Sequence, residues 1–125
     1  MTEKQTRLFG QKGEELAADF LKKKGYRIVE QNFRVSFGEI DIIAWDRETL
    51  VFIEVKTRKS IRYAMPFEAV NSHKIKKLSD TALFYLKKFK NIPPARFDVL
   101  TIYYESGKPC IELIRDAFEL SNTVF

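Results

Sequence analysis

At 125 residues, with 45% apolar and 31% charged side chains, the chain has the size and balance of one folded domain over residues 1–125, which excludes extensive disorder. Its single cysteine, Cys110, excludes an intramolecular disulfide or a cysteine-based zinc site, and its apolar runs are too short for a bilayer span or a signal peptide, so we expect a cytoplasmic protein without a membrane partner. The net charge of +5 is compatible with a nucleic-acid partner, although many housekeeping proteins are mildly basic.

The first half of the chain predicts one helix followed by three strands. Residues 6–24 predict the helix, because their apolar side chains repeat on one stripe and Gly25 follows as a residue suited to end it. Residues 26–35, "YRIVEQNFRV", predict the first strand. The stretch "GEIDIIAWDRETLVFIEVKTR", residues 38–58, predicts two more strands joined by a tight turn.

The second half predicts a helix and two final strands. Ser72 can cap a helix whose apolar residues repeat up to Phe89, before a Pro-Pro pair stops it. Residues 95–105 and 109–116 predict strands on either side of an "SGK" turn. The second helix is long enough to carry the chain over the sheet, so the strand after it can lie parallel to an earlier one. We therefore expect an α/β (α+β) fold with a mixed central sheet flanked by helices.

The hairpin between the second and third strands brings charged residues together. Its only turn-like stretch is residues 46–49, "DRET", so residues that face each other have numbers that sum to 95. This register sets Asp41 opposite Glu54 and Glu39 opposite Lys56. Because side chains alternate along a strand, these four are predicted to project from one face. The residues predicted to fill the other face are Ile40, Ile42, Val51, Ile53 and Val55.

Two facing carboxylates predict a metal site. Directly opposed residues have Cβ atoms about 5 Å apart, near enough for Asp41 and Glu54 to hold one Mg²⁺ or Mn²⁺ at about 2.1 Å from each oxygen. Without a cation, the two charges would repel and raise each other's pKa. Lys56 lies on the same face, about 7 Å along the strand from Glu54, where it could orient a water and stabilise charge on phosphorus. This pattern indicates phosphodiester hydrolysis, although edge strands also carry Lys and Glu merely to discourage aggregation.

At these residues the sequence resembles the PD-(D/E)XK nuclease superfamily, with Asp41 as the aspartate and residues 54–56, "EVK", as the E-x-K. More narrowly, the chain resembles the YraN-like family of small bacterial proteins. The segments that carry this resemblance are "GEELAADFLKKKGYRIVEQNFR", "GEIDIIAWDRETLVFIEVKTR", "EAVNSHKIKKL" and "ARFDVL", which together cover nearly the whole chain. The resemblance implies a restriction-endonuclease-like αβββαβ core and kinship to archaeal Holliday-junction resolvases, whose active site adds a glutamate from the first helix. Glu14 is the matching position, whereas Ile40 stands where the superfamily label has proline.

Further charged residues are candidates for contact with a substrate. Glu39 is either a further metal ligand or a salt-bridge partner of Lys56. Asp98 is predicted to be structural, although it could instead support the edge of the active site. Phe84 falls on the polar side of the second helix, which suggests a partner surface or a homodimer. The candidate nucleic-acid-binding residues are Arg34, Arg58, Lys59, Arg62 and Lys74, each of which could instead be an ordinary solvated charge.

Three functions remain open at this point. The first is a metal-dependent nuclease acting on DNA, including branched or structured DNA, with Asp41 and Glu54 as metal ligands, Lys56 as the catalytic lysine and Glu14 assisting. The second is a non-catalytic module on a nuclease fold that binds nucleic acid or docks another protein. The third is a purely structural role in a larger assembly.

Overall fold

The computed structural model of the chain describes residues 3–58 and 72–119, with side chains described from residue 12 onward. Its elements follow the predicted order α-β-β-β-α-β-β, and each predicted element is present with ends that shift by a few residues. The elements are α1 (Glu3–Lys23), β1 (Arg27–Val35), β2 (Gly38–Asp46), β3 (Thr49–Arg58), α2 (Ser72–Leu86), β4 (Ala95–Glu105) and β5 (Lys108–Phe118).

The five strands form one mixed sheet in the order β1-β2-β3-β4-β5. Strands β3 and β4 are parallel, and every other neighbouring pair is antiparallel. The parallel pair follows from the length of the connection that contains α2, as the sequence predicts. This mixed α+β architecture is compatible with a restriction-endonuclease-like core.

The end of α1 is fixed by Gly25. This residue has φ +95°, a left-handed conformation that glycine adopts without steric cost. The N–H of Gly25 donates to the carbonyl of Lys22, and the N–H of Tyr26 donates to the carbonyl of Leu21. These two bonds satisfy carbonyls at the helix end and direct the chain into β1.

No helix in the described part of the chain is long and apolar enough to cross a membrane.

One helix covers each face of the sheet. The stripe of α1, which includes Ala17 and Leu21, packs against one face of the sheet. The stripe of α2, which includes Ala82 and Tyr85, packs against the other. The strand residues on the α1 face include Ile42, Ala44, Val51, Ile53, Leu100 and Ile102, and those on the α2 face include Ile40, Ile43, Leu50, Phe52 and Phe97.

The predicted hairpin register is confirmed over the part of the hairpin that pairs. Partners run from Asp46 and Thr49 to Ile42 and Ile53, and the numbers in each pair sum to 95. The pairing of β2 with β3 does not extend to the next predicted pair, Asp41 with Glu54. The two strands therefore stop pairing at the acidic residues.

Strand β2 changes face at this point. The prediction that Ile40 shares a face with Ile42 is wrong, because Ile40 packs on the α2 side while Ile42 packs on the α1 side. On the neighbouring strand β1, Asn32 faces this point and has φ 55°, a backbone conformation outside the regular strand region. The β1–β2 pairs on either side of this break are Gln31 with Ile42 and Phe33 with Ile40.

Candidate functional site

The candidate site lies where β2 and β3 stop pairing, at a place that we call the fork and define by Asp41, Glu54 and Val55. The backbone N–H of Val55 donates a 2.7 Å hydrogen bond to Oδ2 of Asp41. A side-chain carboxylate thus serves as acceptor for a strand N–H, where a regular ladder would supply a backbone carbonyl. This bond fixes the Asp41 carboxylate between the two strands.

Glu54 presents a carboxylate to two lysines on the α2 side of the fork. It is only 8% exposed. Its Oε1 lies 3.3 Å from Nζ of Lys56, which is two residues along β3, and 2.9 Å from Nζ of Lys74, which comes from α2. Both ammonium groups therefore contact the same oxygen of Glu54.

Burial and neighbouring charges shift the pKa of both Asp41 and Lys56. Burial, followed by the nearby charge of Glu54, raises the pKa of Asp41 to about 7, against the lowering effect of the Val55 hydrogen bond. The charges of Glu14 and Glu39 raise the pKa of Asp41 further. Burial and the neighbouring Lys74 lower the pKa of Lys56, and Glu54 opposes this shift. The pKa shifts of Asp41 and Lys56 therefore both favour the neutral form of the side chain.

Glu14 reaches the same region from α1. The side-chain amide of Asn32 donates a 3.3 Å hydrogen bond to Oε2 of Glu14. One residue earlier, Gly13 allows α1 to lie directly on β3, since a Cβ atom at Gly13 would come within 2.5 Å of Oγ1 of Thr57. This close approach places the first helix against the strand that carries Glu54 and Lys56.

The other predicted site residues divide into three groups. The prediction that Glu39 lies opposite Lys56 is wrong, because the pairing of β2 with β3 ends before it reaches these residues. Glu39 instead forms a 3.0 Å salt bridge with Arg34 on β1. Arg58 is half-buried and donates to the carbonyl of Thr57 at 3.3 Å. Lys59 and Arg62 lie outside the described residues.

Asp41 and Glu54 are the residues that could hold a metal ion. Within residues 3–58 and 72–119, no cluster of three or more His, Cys, Asp or Glu side chains is arranged to hold one. A site for Mg²⁺ needs fewer protein ligands, because this ion commonly binds one or two carboxylates and keeps several waters. The high pKa of Asp41 indicates a carboxylate whose charge a cation would stabilise. The donor set therefore fits a two-carboxylate magnesium site.

The sequence did not single out Thr101, which borders the fork. Thr101 is 2% exposed and pairs with Lys56 across the parallel β3–β4 ladder. Its Oγ1 is buried without a hydrogen-bond partner in the described structure. The available signal was one hydroxyl residue in the otherwise apolar stretch "VLTI", which by itself is common in strands.

A second charged cluster lies at the other end of β2 and is structural, as predicted for Asp98. This residue is fully buried and accepts hydrogen bonds from the Tyr26 hydroxyl at 2.9 Å and from Arg96 Nε at 3.0 Å. Arg96 also bonds Asp46 at 2.8 Å. These contacts join the end of α1 to the hairpin and to β4.

Comparisons with known proteins agree with the narrower resemblance found in the sequence. Residues 13–102 match the model of the uncharacterised protein family UPF0102. A UPF0102 protein of Syntrophus aciditrophicus is 50% identical over 113 residues, which are 90% of this chain and 89% of that protein. A UPF0102 protein of Syntrophomonas wolfei is 47% identical over 85% of this chain and 93% of that protein. A UPF0102 protein of Geobacter metallireducens is 48% identical over 90% of this chain and 93% of that protein. The chain therefore belongs to the UPF0102 family, the YraN-like family that the sequence predicted.

Proposed function

We propose that this protein is a metal-dependent nuclease-like enzyme of the PD-(D/E)XK type that hydrolyses phosphodiester bonds in DNA. The observation that carries the proposal is the fork, where two strands separate and bring Asp41, Glu54 and Lys56 together. Carboxylates from separate strands with an amine beside them are the groups that metal-assisted phosphodiester hydrolysis requires. The resemblance to the superfamily at the same residues supports the same reading.

Each residue at the fork has a role in the proposed reaction. Asp41 and Glu54 would hold Mg²⁺ or Mn²⁺, which when bound polarises the phosphate and lowers the pKa of a coordinated water. Lys56 donates hydrogen bonds to the phosphate oxygens, where negative charge develops in the transition state.

Two further residues support this arrangement from the helices. Lys74 contacts the same Glu54 oxygen as Lys56 and adds a second positive charge near the phosphate. Glu14 accepts a hydrogen bond from Asn32 and adds negative charge on the α1 side of Asp41. We assign Glu14 the role of orienting a water, because it lies close enough to affect the pKa of Asp41.

A cleavage assay tests the proposal. Linear duplex, flapped and four-way DNA are incubated with the protein and Mg²⁺ or Mn²⁺, and the products are separated on denaturing gels. We expect metal-dependent cleavage that falls by about 100-fold or more in Lys56→Ala, since removal of one transition-state donor typically costs that much. Glu48→Gln is the control, because Glu48 is exposed in the turn between β2 and β3, at the opposite end of the hairpin from Asp41. Absence of cleavage across the whole panel, or full activity of Lys56→Ala, would contradict the proposal.

Metal binding is tested separately by calorimetric titration of Mg²⁺ or Mn²⁺ into the protein. We expect one site that is lost in Asp41→Asn and retained in Glu48→Gln. Equal binding by wild type and Asp41→Asn would rule out the two-carboxylate site.

A specific observation favours the non-catalytic module as the second candidate. Glu54 already contacts two ammonium groups, so its charge is matched without a metal ion. A module of this kind would bind DNA in EDTA, retain that binding in Asp41→Asn and Lys56→Ala, and cleave no member of the panel. A nuclease gives the opposite result in the cleavage assay.

A further inference from the structure

Two phenylalanines form an exposed pair on the α2 side of the sheet. Phe37, in the turn between β1 and β2, is 45% exposed, and Phe84, on α2, is 50% exposed. Their ring centroids lie 5.8 Å apart with an interplanar angle of 81°, an edge-to-face contact. Phenylalanine is among the residues most often buried, so two neighbouring rings this open mark a binding surface.

The position of this pair is fixed by a close backbone contact. Gly38 lies against α2, and a Cβ atom at Gly38 would collide with Oγ1 of Thr81. The Thr81 hydroxyl in turn donates a 2.8 Å hydrogen bond to the carbonyl of Lys77. The turn that carries Phe37 is therefore held on the helix that carries Phe84, and the two rings form a fixed platform.

Two grooves meet at Phe37 and connect this platform to the fork. The first, of about 740 Å³, is lined by Phe37, Phe84, Leu83, Ile92 and Lys87, among others. The second, of about 510 Å³, is lined by Phe37, Arg34, Lys74 and Lys77, among others. Lys74 also contacts Glu54 at 2.9 Å. A continuous surface therefore runs from the candidate site along α2 to the aromatic pair.

The charge along this surface is mainly positive. Lys77 is exposed on α2 and Lys87 is exposed just after its end, so they flank Phe84 in the sequence. The nearby Asp80 is paired with Lys76 at 3.2 Å. Exposed aromatic rings set among lysines are typical of surfaces that bind single-stranded nucleic acid, where bases stack and phosphates are neutralised. In a duplex the base faces are stacked on one another, so exposed phenylalanine rings cannot stack on them. A two-fold contact with a second copy would bring the lysines of the two copies together.

We propose that Phe37 and Phe84 form a base-stacking platform that holds a single-stranded DNA segment, with its phosphates on Lys74, Lys77 and Lys87, beside the site at the fork. The choice of DNA rests on the proposed function. The proposal goes further by assigning the substrate class: DNA with unpaired bases, such as a free strand, a flap or an open branch.

The test is fluorescence anisotropy with a labelled oligo-dT of about 20 nucleotides, a length above typical single-strand site sizes. The titrations are done in EDTA, so a failure of the nuclease proposal leaves this result unaffected. We expect single-stranded DNA to bind more tightly than a duplex of the same length. Phe37→Ala combined with Phe84→Ala should weaken oligo-dT binding by about 5- to 150-fold, the loss expected for one stacked base.

Three further proteins complete the test. Phe84→Trp keeps an aromatic ring and should bind oligo-dT as the wild type does. Val29→Ala is the matched control, because Val29 is a 42% exposed apolar residue on β1 that does not line either groove. Phe84→Ala alone should give an intermediate loss, which covers the case in which the double variant fails to fold.

The proposal is overturned if the alanine variants bind oligo-dT as tightly as wild type, or if they weaken duplex binding equally. Tighter binding of oligo-U than of oligo-dT would overturn the choice of DNA. Sedimentation that shows a wild-type dimer converted to a monomer by Phe84→Ala would make the platform a subunit interface instead.

Discussion

Replacement of Asp41 by asparagine should make the stability of the protein less dependent on pH. The Asp41 carboxylate is buried beside Glu54, with Glu14 and Glu39 also near, and its pKa is raised to about 7. Between the ordinary pKa and this value, the folded protein keeps a proton that the unfolded chain loses, so wild-type stability falls as pH rises through that window. The asparagine amide oxygen can still accept the Val55 hydrogen bond but never carries a charge.

The size of the effect follows from the two pKa values. The difference between 3.8 and about 7, at 1.36 kcal/mol per pKa unit, corresponds to about 4 kcal/mol over the whole window. Of this, about 2–3 kcal/mol falls between pH 5 and pH 8, because about 2 of the roughly 3 pKa units of the shift lie above pH 5. The stability of Asp41→Asn relative to wild type should therefore increase by that amount over this range. Lys56 and Lys74 lie beside Glu54 and offset only part of the repulsion.

The assay is urea denaturation of both proteins in EDTA at several pH values between about 5 and about 8.5. Asp46→Asn is the control, because hydrogen bonding to Arg96 lowers the pKa of Asp46. The stabilising effect of a depressed pKa is lost only as the pH falls below the ordinary value, so the gap between Asp46→Asn and wild type should stay constant over this range. A stability of Asp41→Asn relative to wild type that stays constant or falls as the pH rises would show that the pKa of Asp41 is not raised in the folded protein.

The remaining predictions concern stability and are measured by the same denaturation. Asp98→Asn should cost about 3–5 kcal/mol, because it leaves Arg96 with a broken buried ion pair; a loss below about 1 kcal/mol would contradict this. Gly38→Ala should cost about 1–3 kcal/mol through its collision with Thr81, and Thr81→Ala in the same chain should recover part of that loss; strictly additive effects would refute the contact. Gly25→Ala should cost about 1–2 kcal/mol, since alanine is strained at φ +95°; an unchanged midpoint would show that the helix end adapts.

Local rules were enough to predict the hairpin. The stretch "DRET" fixed the turn, and side-chain alternation then fixed the β2–β3 register from Ile42 to Asp46, as the structure confirms. The same rule failed at Ile40, because it assumes unbroken alternation. The break coincides with the positive φ of Asn32 on the neighbouring strand, and asparagine is permissive enough for this conformation without requiring it.

The contributions of the helices to the fork could not be derived from local rules. Helical periodicity places Glu14 and Lys74 at the margin of an apolar stripe, but it does not say which strand residue each meets. The contact of Lys74 with Glu54 depends on how α2 sits across the sheet after a connection that begins beyond Arg58. Gly13 was the one local hint for α1, because a glycine inside a helix often marks a close approach.

The unbroken helix α2 sets a length scale for any DNA strand that lies along it. Lys74 and Phe84 are ten positions apart in one uninterrupted helix, which at 1.5 Å per residue separates them by about 15 Å. A helix with its hydrogen bonds intact does not stretch, so the two anchor points keep this spacing. DNA held by a base at Phe84 and hydrolysed at the fork beside Lys74 would be cut at a constant distance from that base. The position of the cut would therefore depend on the distance between these two residues along the helix.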